Sequence, residues 1–182
     1  RAASWSRGLG DVYKRQVFSH PPSLEHAQAA RFLHNPLEFI VPVNHPLAQV
    51  KSVKLSDLMQ YRFLLRENGS ATRMLFESEL QSRGLVLSDS VQMASNEAIR
   101  VAVSSGMGIA VLSRHVLAKD DASFKVLTVT DTHLASHWYF VMRTDRHISH
   151  AARNFLKFAQ QHLEQYLDSQ WVRNELDNLQ LN

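Results

Sequence analysis

The chain has 182 residues, 45% of them apolar and 20% charged, which suits one ordinary domain or two small lobes and excludes disordered and collagen-like chains. Lys and Arg exceed Asp and Glu by 20 − 17 = 3, too small a surplus to argue for nucleic-acid binding by itself. No cysteine is present, which excludes disulfides, iron–sulfur clusters, cysteine zinc sites and thiol catalysis.

Residues 1–16 carry no apolar period, and Trp5 has no apolar neighbours in sequence. The run Asp11-Val12-Tyr13-Lys14-Arg15-Gln16 looks like a translated sequencing adapter. Residues 1–16 are therefore expected to be a scar or a disordered end, with the natural protein extending further toward its N-terminus. From Val17 the pattern is regular. Residues 37–43 form a β-rich apolar run closed by Asn44-His45-Pro46. It is too short to span a bilayer, and no signal peptide is visible, so a cytoplasmic protein without membrane contact is expected.

Ser56-Asp57 predicts a cap on a short helix ending near Tyr61, and Arg62-Phe63-Leu64-Leu65-Arg66 a strand. Glu67-Asn68-Gly69-Ser70 turns into a helix over 71–83, with Gly84 as its stop. The next unit repeats the plan: a strand at 88–93, Ser95-Asn96 capping a helix that carries Ile99, Ala102 and Val103 on one face, and Gly106 ending it. A buried strand at 109–112, a short helix at 113–117 and strands at 124–129 and 137–142 follow. Ser149 caps a long helix with Ala152, Phe155, Leu156, Ala159, Leu163 and Tyr166 as its apolar stripe. The tail, 168–182, is polar and expected to fray. Alternating strands and helices predict an α/β fold with a largely parallel sheet, its helix N-termini at the carboxyl ends of the strands.

No catalytic set emerges, and the chain is not expected to be an enzyme. His133 and His137 have an i, i+4 gap, but a strand begins between them, so they diverge and no metal site is expected. Gly106-Met107-Gly108 lacks a third glycine and follows a helix, so it is a stop and turn, not a nucleotide loop. No nucleophile elbow or phosphate-binding loop is present, and no cofactor is implied.

Two strand-to-helix turns read differently. Asn68, Gly69, Ser70 and Thr72 mark one, and Ser95, Asn96 and Glu97 the other, with Arg66 and Arg73 as possible charge partners. Helix N-termini expose unpaired N–H groups and the positive end of the dipole, which suits a carboxylate, sulfate or phosphate. At either turn alone these residues read as ordinary helix caps. Two such turns facing one cleft read as a binding site.

The segments Asn44-His45-Pro46-Leu47-Ala48, Arg66-Glu67-Asn68-Gly69-Ser70-Ala71-Thr72-Arg73, Ser95-Asn96-Glu97-Ala98-Ile99-Arg100 and Gly106-Met107-Gly108-Ile109-Ala110-Val111-Leu112-Ser113 resemble the effector-binding domain of LysR-type transcriptional regulators. Ile148-Ser149-His150-Ala151-Ala152-Arg153-Asn154-Phe155 is similar to that family's closing helix, with His150 where the family usually has Pro. The motifs stand in the family's order over 17–165. Residues 31–43 and 95–97 look most like regulators of Calvin-cycle carboxylase (RuBisCO) operons.

The resemblance implies a two-lobed α/β fold like a periplasmic binding protein, here truncated at its N-terminus and without the winged helix-turn-helix. Part of lobe I would be 17–49, lobe II 50–133, and the closing part of lobe I 134–167. The resemblance also implies a small anionic metabolite, phosphorylated or carboxylated, held in the interlobe cleft by Asn68, Gly69, Ser70, Thr72, Ser95, Asn96 and Glu97. It implies promoter DNA contacted only through the missing N-terminal domain, and a homodimer or homotetramer of the intact protein. The helix over 71–83 would pack on a partner's first lobe-I helix, so weakened dimerisation is expected of this chain. The alternative is a solute-binding protein of a transporter with the same fold.

Overall fold

The computed structural model describes residues 16–18, 27–118, 121–144 and 147–179. Trp5 and the rest of 1–15 lie outside them. Gln16, expected to belong to the scar, begins strand β1 (Gln16–Phe18). The chain divides into two compact units, Arg1–Asn35 with Ser136–Asn182, and Pro36–Ala135.

The second unit carries the predicted helix–strand alternation. Its sheet holds the later half of β2 (Ala27–Pro42), with β3 (Arg62–Arg66), β4 (Asp89–Met93), β5 (Ile109–Ser113) and β6 (Phe124–Leu127). The order is β4-β3-β5-β2, and β6 pairs with the other edge of β2. The sheet is mixed, not largely parallel as expected. β3 is parallel to β4 and β5, but β2 runs antiparallel to β5 and β6. Strand direction depends on partners distant in sequence, and local patterning does not encode it.

Side chains of each strand alternate between the two faces of the sheet. Phe39, Val41, Phe63, Leu65, Ile109 and Val111 share one face, under α1 (Leu55–Leu58) and α2 (Ala71–Ser82). Phe76 of α2 is fully buried there, its ring 4.9 Å from Phe63 and 5.8 Å from Phe39. Ile40, Leu64, Ala110 and Leu112 line the other face, under α3 (Asn96–Ser104) through Ile99, Ala102 and Val103. Both α2 and α3 end in the expected glycine stops. Leu85 N–H returns to Leu80 C=O and Met107 N–H to Ala102 C=O, satisfying carbonyls the helices leave open.

One local expectation shifts. α1 starts at Leu55, before the predicted Ser56-Asp57 cap, and Asp57 instead accepts from Lys54 N–H at 2.9 Å. The second unit begins inside β2, at Pro36, where β5 and β6 both pair with the second half of that strand.

The first unit holds β1 and the early half of β2, with β7 (Ala135–Arg143) between them, and α4 (His150–Tyr166). Of the predicted α4 stripe, Leu156 and Ala159 are buried, whereas Phe155 and Tyr166 are exposed. The expected fraying of the tail is corrected over residues 168–179, and 180–182 lie outside the described residues. Trp171 C=O accepts from His34 N–H at 2.7 Å, and Arg173 and Glu175 N–H donate to Phe32 and Arg31 C=O at 2.9 Å each. Val172, Leu176 and Leu179 are buried with Phe32 and Leu33. These apolar residues dock the segment, and the backbone of β2 supplies its ladder. His137 meets His34 at 3.4 Å. Among the described residues no group of three or more His, Asp or Glu has the arrangement of a metal site.

Candidate functional site

The predicted site residues all lie in the second unit, on two turns that the sheet sets side by side. Parallel pairing of β3 with β4 ends at Arg66 opposite Met93. From Arg66 the chain turns onto the face covered by α2, and from Met93 onto the face covered by α3. Adjacent parallel strands that send their connections to opposite faces make a topological switch point, where open α/β sheets bind ligands.

At the first turn Gly69 has φ +88°, a conformation that favours glycine, and nothing lies within 4 Å of where a Cβ would stand. Ser70 occupies the N-cap position of α2 in extended backbone, yet its hydroxyl makes no capping bond. Its N–H donates to Glu67 C=O at 3.1 Å, and its C=O accepts from Met74 N–H at 2.9 Å. The first turn, Ala71-Thr72-Arg73, has no acidic residue. Such a helix start presents unsatisfied N–H groups and an uncompensated positive dipole end.

The second turn is built the other way. Ser95 Oγ accepts from Ala98 N–H at 3.1 Å and closes the start of α3. Glu97 sits in the first turn of α3. Its own backbone N–H, then the Ser95 hydroxyl, then the charges of Arg100 and Arg66 hold its carboxyl below the ordinary value. Ser95 and Glu97 therefore satisfy the helix end themselves.

Arg66 ties the turns together. Its Nη1 donates to Asn96 Oδ1 at 2.6 Å, and its Nε and Nη2 to the two oxygens of Glu67 at 2.8 and 2.9 Å. That pairing, before any other cause, keeps the Glu67 carboxyl below its usual range. Arg73 is a clamp. Its Nη1 donates to Arg66 C=O at 3.0 Å and to Gln92 Oε1 at 2.9 Å, and its Nε to Glu77 at 2.7 Å. Asn68, Gly69, Ser70 and Thr72 thus share one turn, Ser95, Asn96 and Glu97 the other, and Arg66 spans both.

Sequence reasoning missed three groups at this end of the sheet. Glu67 stands beside Arg66, but residues i and i+1 of a strand diverge, so only the turn geometry brings them together. Gln92 meets Arg73 through the β3–β4 register. Glu38 lies opposite Leu112 on β2, partly buried, where desolvation raises its carboxyl against the opposing pull of Arg114. An acid inside an apolar strand, at position 38 of the run 37–43, was the available signal.

Residues 17–164 match the LysR substrate binding domain family. The HTH-type transcriptional activator CmpR of Synechocystis is 34% identical over 87% of this chain and 52% of its own length. A RuBisCO operon transcriptional regulator of Allochromatium vinosum is 34% identical over 76% of this chain and 46% of its own. The chain therefore spans about half the length of these curated relatives, which are transcriptional regulators and not enzymes. Among solved structures, the Synechocystis CcmR regulatory domain in complex with 2-PG superposes with TM-score 0.73 at 29% identity, covering 79% of this chain and 70% of that one. The effector binding domain of QuiR in complex with shikimate gives TM-score 0.73 at 20% identity, covering 85% and 74%, a likeness of fold. No helix among the described residues is long and apolar enough to cross a membrane. On the family match, the identities and the fold together, the chain belongs to the LysR-type effector-binding domains.

Proposed function

We propose that this chain is the sensing part of a LysR-type transcription regulator, and that it binds a small phosphorylated or carboxylated metabolite at the turns after β3 and β4. The observation that carries this reading is the open start of α2, where Ser70 makes no capping bond and no acid occupies the first turn. An anion seated there gains the N–H groups of Ala71, Thr72 and Arg73, the hydroxyls of Ser70 and Thr72, and the Asn68 amide. Gly69 leaves the backbone open to approach. Ser95, Asn96 and Glu97 are the neighbouring turn of the proposed site, and Asn96 holds Arg66 in place. The 2-PG bound by the CcmR regulatory domain supports an anionic ligand of this kind.

Occupancy shifts a conformational equilibrium only if the effector binds one state more tightly, and a differential of ~1–3 kcal/mol gives ordinary coupling. In the intact regulator, a cytoplasmic homodimer or homotetramer, that shift reaches promoter DNA through a separate DNA-binding domain. The names of the curated relatives support a DNA-binding transcription regulator over a transporter's solute-binding protein. Titration calorimetry with 2-PG tests the site. Ser70→Ala and Thr72→Ala are each expected to weaken binding by about tenfold, the size of one lost charge-assisted hydrogen bond. Unaltered affinity in both variants would remove the α2 corner from the site.

A further inference from the structure

We propose that Glu67 is a built-in competitor for the effector: its carboxylate fills the anion-binding fork of Arg66, and a dianionic ligand binds by taking that fork from it. This rests on the effector reading above and names the ligand charge that the site selects. The side-on pair, Nε and Nη2 of Arg66 to both Glu67 oxygens at 2.8 and 2.9 Å, is the arrangement by which a guanidinium grips carboxylate or phosphate. The fork is thus an anion site that the chain itself occupies.

Three features make that occupancy exchangeable. The Glu67 side chain is 43% exposed against 21% for Arg66, so the carboxylate can swing into water while the guanidinium stays. Asn96 continues to hold Arg66 through Nη1 when Glu67 leaves. Partly exposed ion pairs contribute little to stability, so exchange costs little. The adjoining α2 start carries no acid of its own and adds donors for an anion in the fork. Arg73 lacks this freedom, being fixed by a carbonyl, an amide and Glu77. A monocarboxylate taking the place of Glu67 exchanges like for like, whereas a dianion gains one further charge of attraction. The chemistry therefore favours phosphate-bearing ligands over simple carboxylates.

Calorimetry on the 182-residue chain and its Glu67→Gln variant, with 2-PG, inorganic phosphate and acetate as probes, tests this. The variant is expected to bind inorganic phosphate and 2-PG about five- to tenfold more tightly, to gain less for acetate, and to lose the advantage as salt screens it. Its melting temperature should stay near that of the parent. Equal or weaker phosphate and 2-PG binding by the variant would overturn the competitor role and leave the effector reading standing. Loss of the folding transition would overturn it too, by showing Glu67 to be structural. Failure of both proteins to bind any probe would overturn the effector reading, and the competitor with it.

Discussion

The two turns at the ends of β3 and β4 follow one sequence recipe and reach opposite states. Each puts a serine at a helix N-cap after a parallel strand. At α3 the serine accepts from Ala98 N–H, and Glu97 sets a negative charge against the helix dipole. At α2 the serine hydroxyl makes no such bond, and no acid follows it. The start of α3 is closed by its own side chains, and the start of α2 keeps its donors for something else. A serine at a helix start is therefore not by itself a sign of either stability or binding. What decides is whether the hydroxyl oxygen accepts from a first-turn N–H and whether the first turn also supplies a charge for the dipole.

Making the open turn resemble the closed one should have the largest effect. Thr72→Asp puts a carboxylate in the first turn of α2, as Glu97 does in α3. Repulsion of an anion ~5 Å away at an effective dielectric of ~20 is about 3 kcal/mol, or roughly a hundredfold loss of 2-PG affinity by calorimetry. The same change should leave the melting temperature unchanged or slightly raised, because an acid there suits the dipole.

The reciprocal change should show the opposite pattern. Ser95→Ala removes a working cap and should cost about 1 kcal/mol of unfolding free energy in a urea titration. Its effect on 2-PG affinity should stay below about threefold, smaller than that of one lost charge-assisted bond. A Ser95→Ala variant of full stability and much weakened affinity would exchange the roles given to the two corners.

The smallest effect is a pH dependence. The Glu97 carboxyl sits below its ordinary value of 4.5 in the folded chain. A depressed folded value contributes stability above the unfolded value, lost as pH falls through the folded one. The parent chain should therefore lose slightly more stability than Glu97→Gln between pH about 5 and pH about 3. Parallel acid-unfolding curves for the two proteins would remove Glu97 from the cap.

Much of the second unit was legible because its signals are local. Three apolar residues between Arg62 and Arg66 mark β3, and Gly84 and Gly106 mark the helix ends. Ile99, Ala102 and Val103 recur at helical spacing and face the core. What was not legible depends on partners far along the chain. The stretch Ala27-Gln28-Ala29-Ala30-Arg31 has no β-branched residue, and its strand character comes with a place in the sheet beside β7, a partner more than a hundred residues away. The segment around Val172 looked polar, yet Trp171, Val172, Leu176 and Leu179 carry enough apolar surface to dock it. At the candidate site the residue types were readable but their commitments were not. Ser70 and Ser95 are the same side chain in the same position, and only the geometry separates them.

The most direct test follows individual backbone amides by NMR as 2-PG is added. The amides of Ala71, Thr72 and Arg73 should move downfield together and saturate, with that of Ala98 nearly still. Saturating shifts at Glu97 and Ala98 with none at 71–73 would contradict the assignment of the open helix end as the effector's seat.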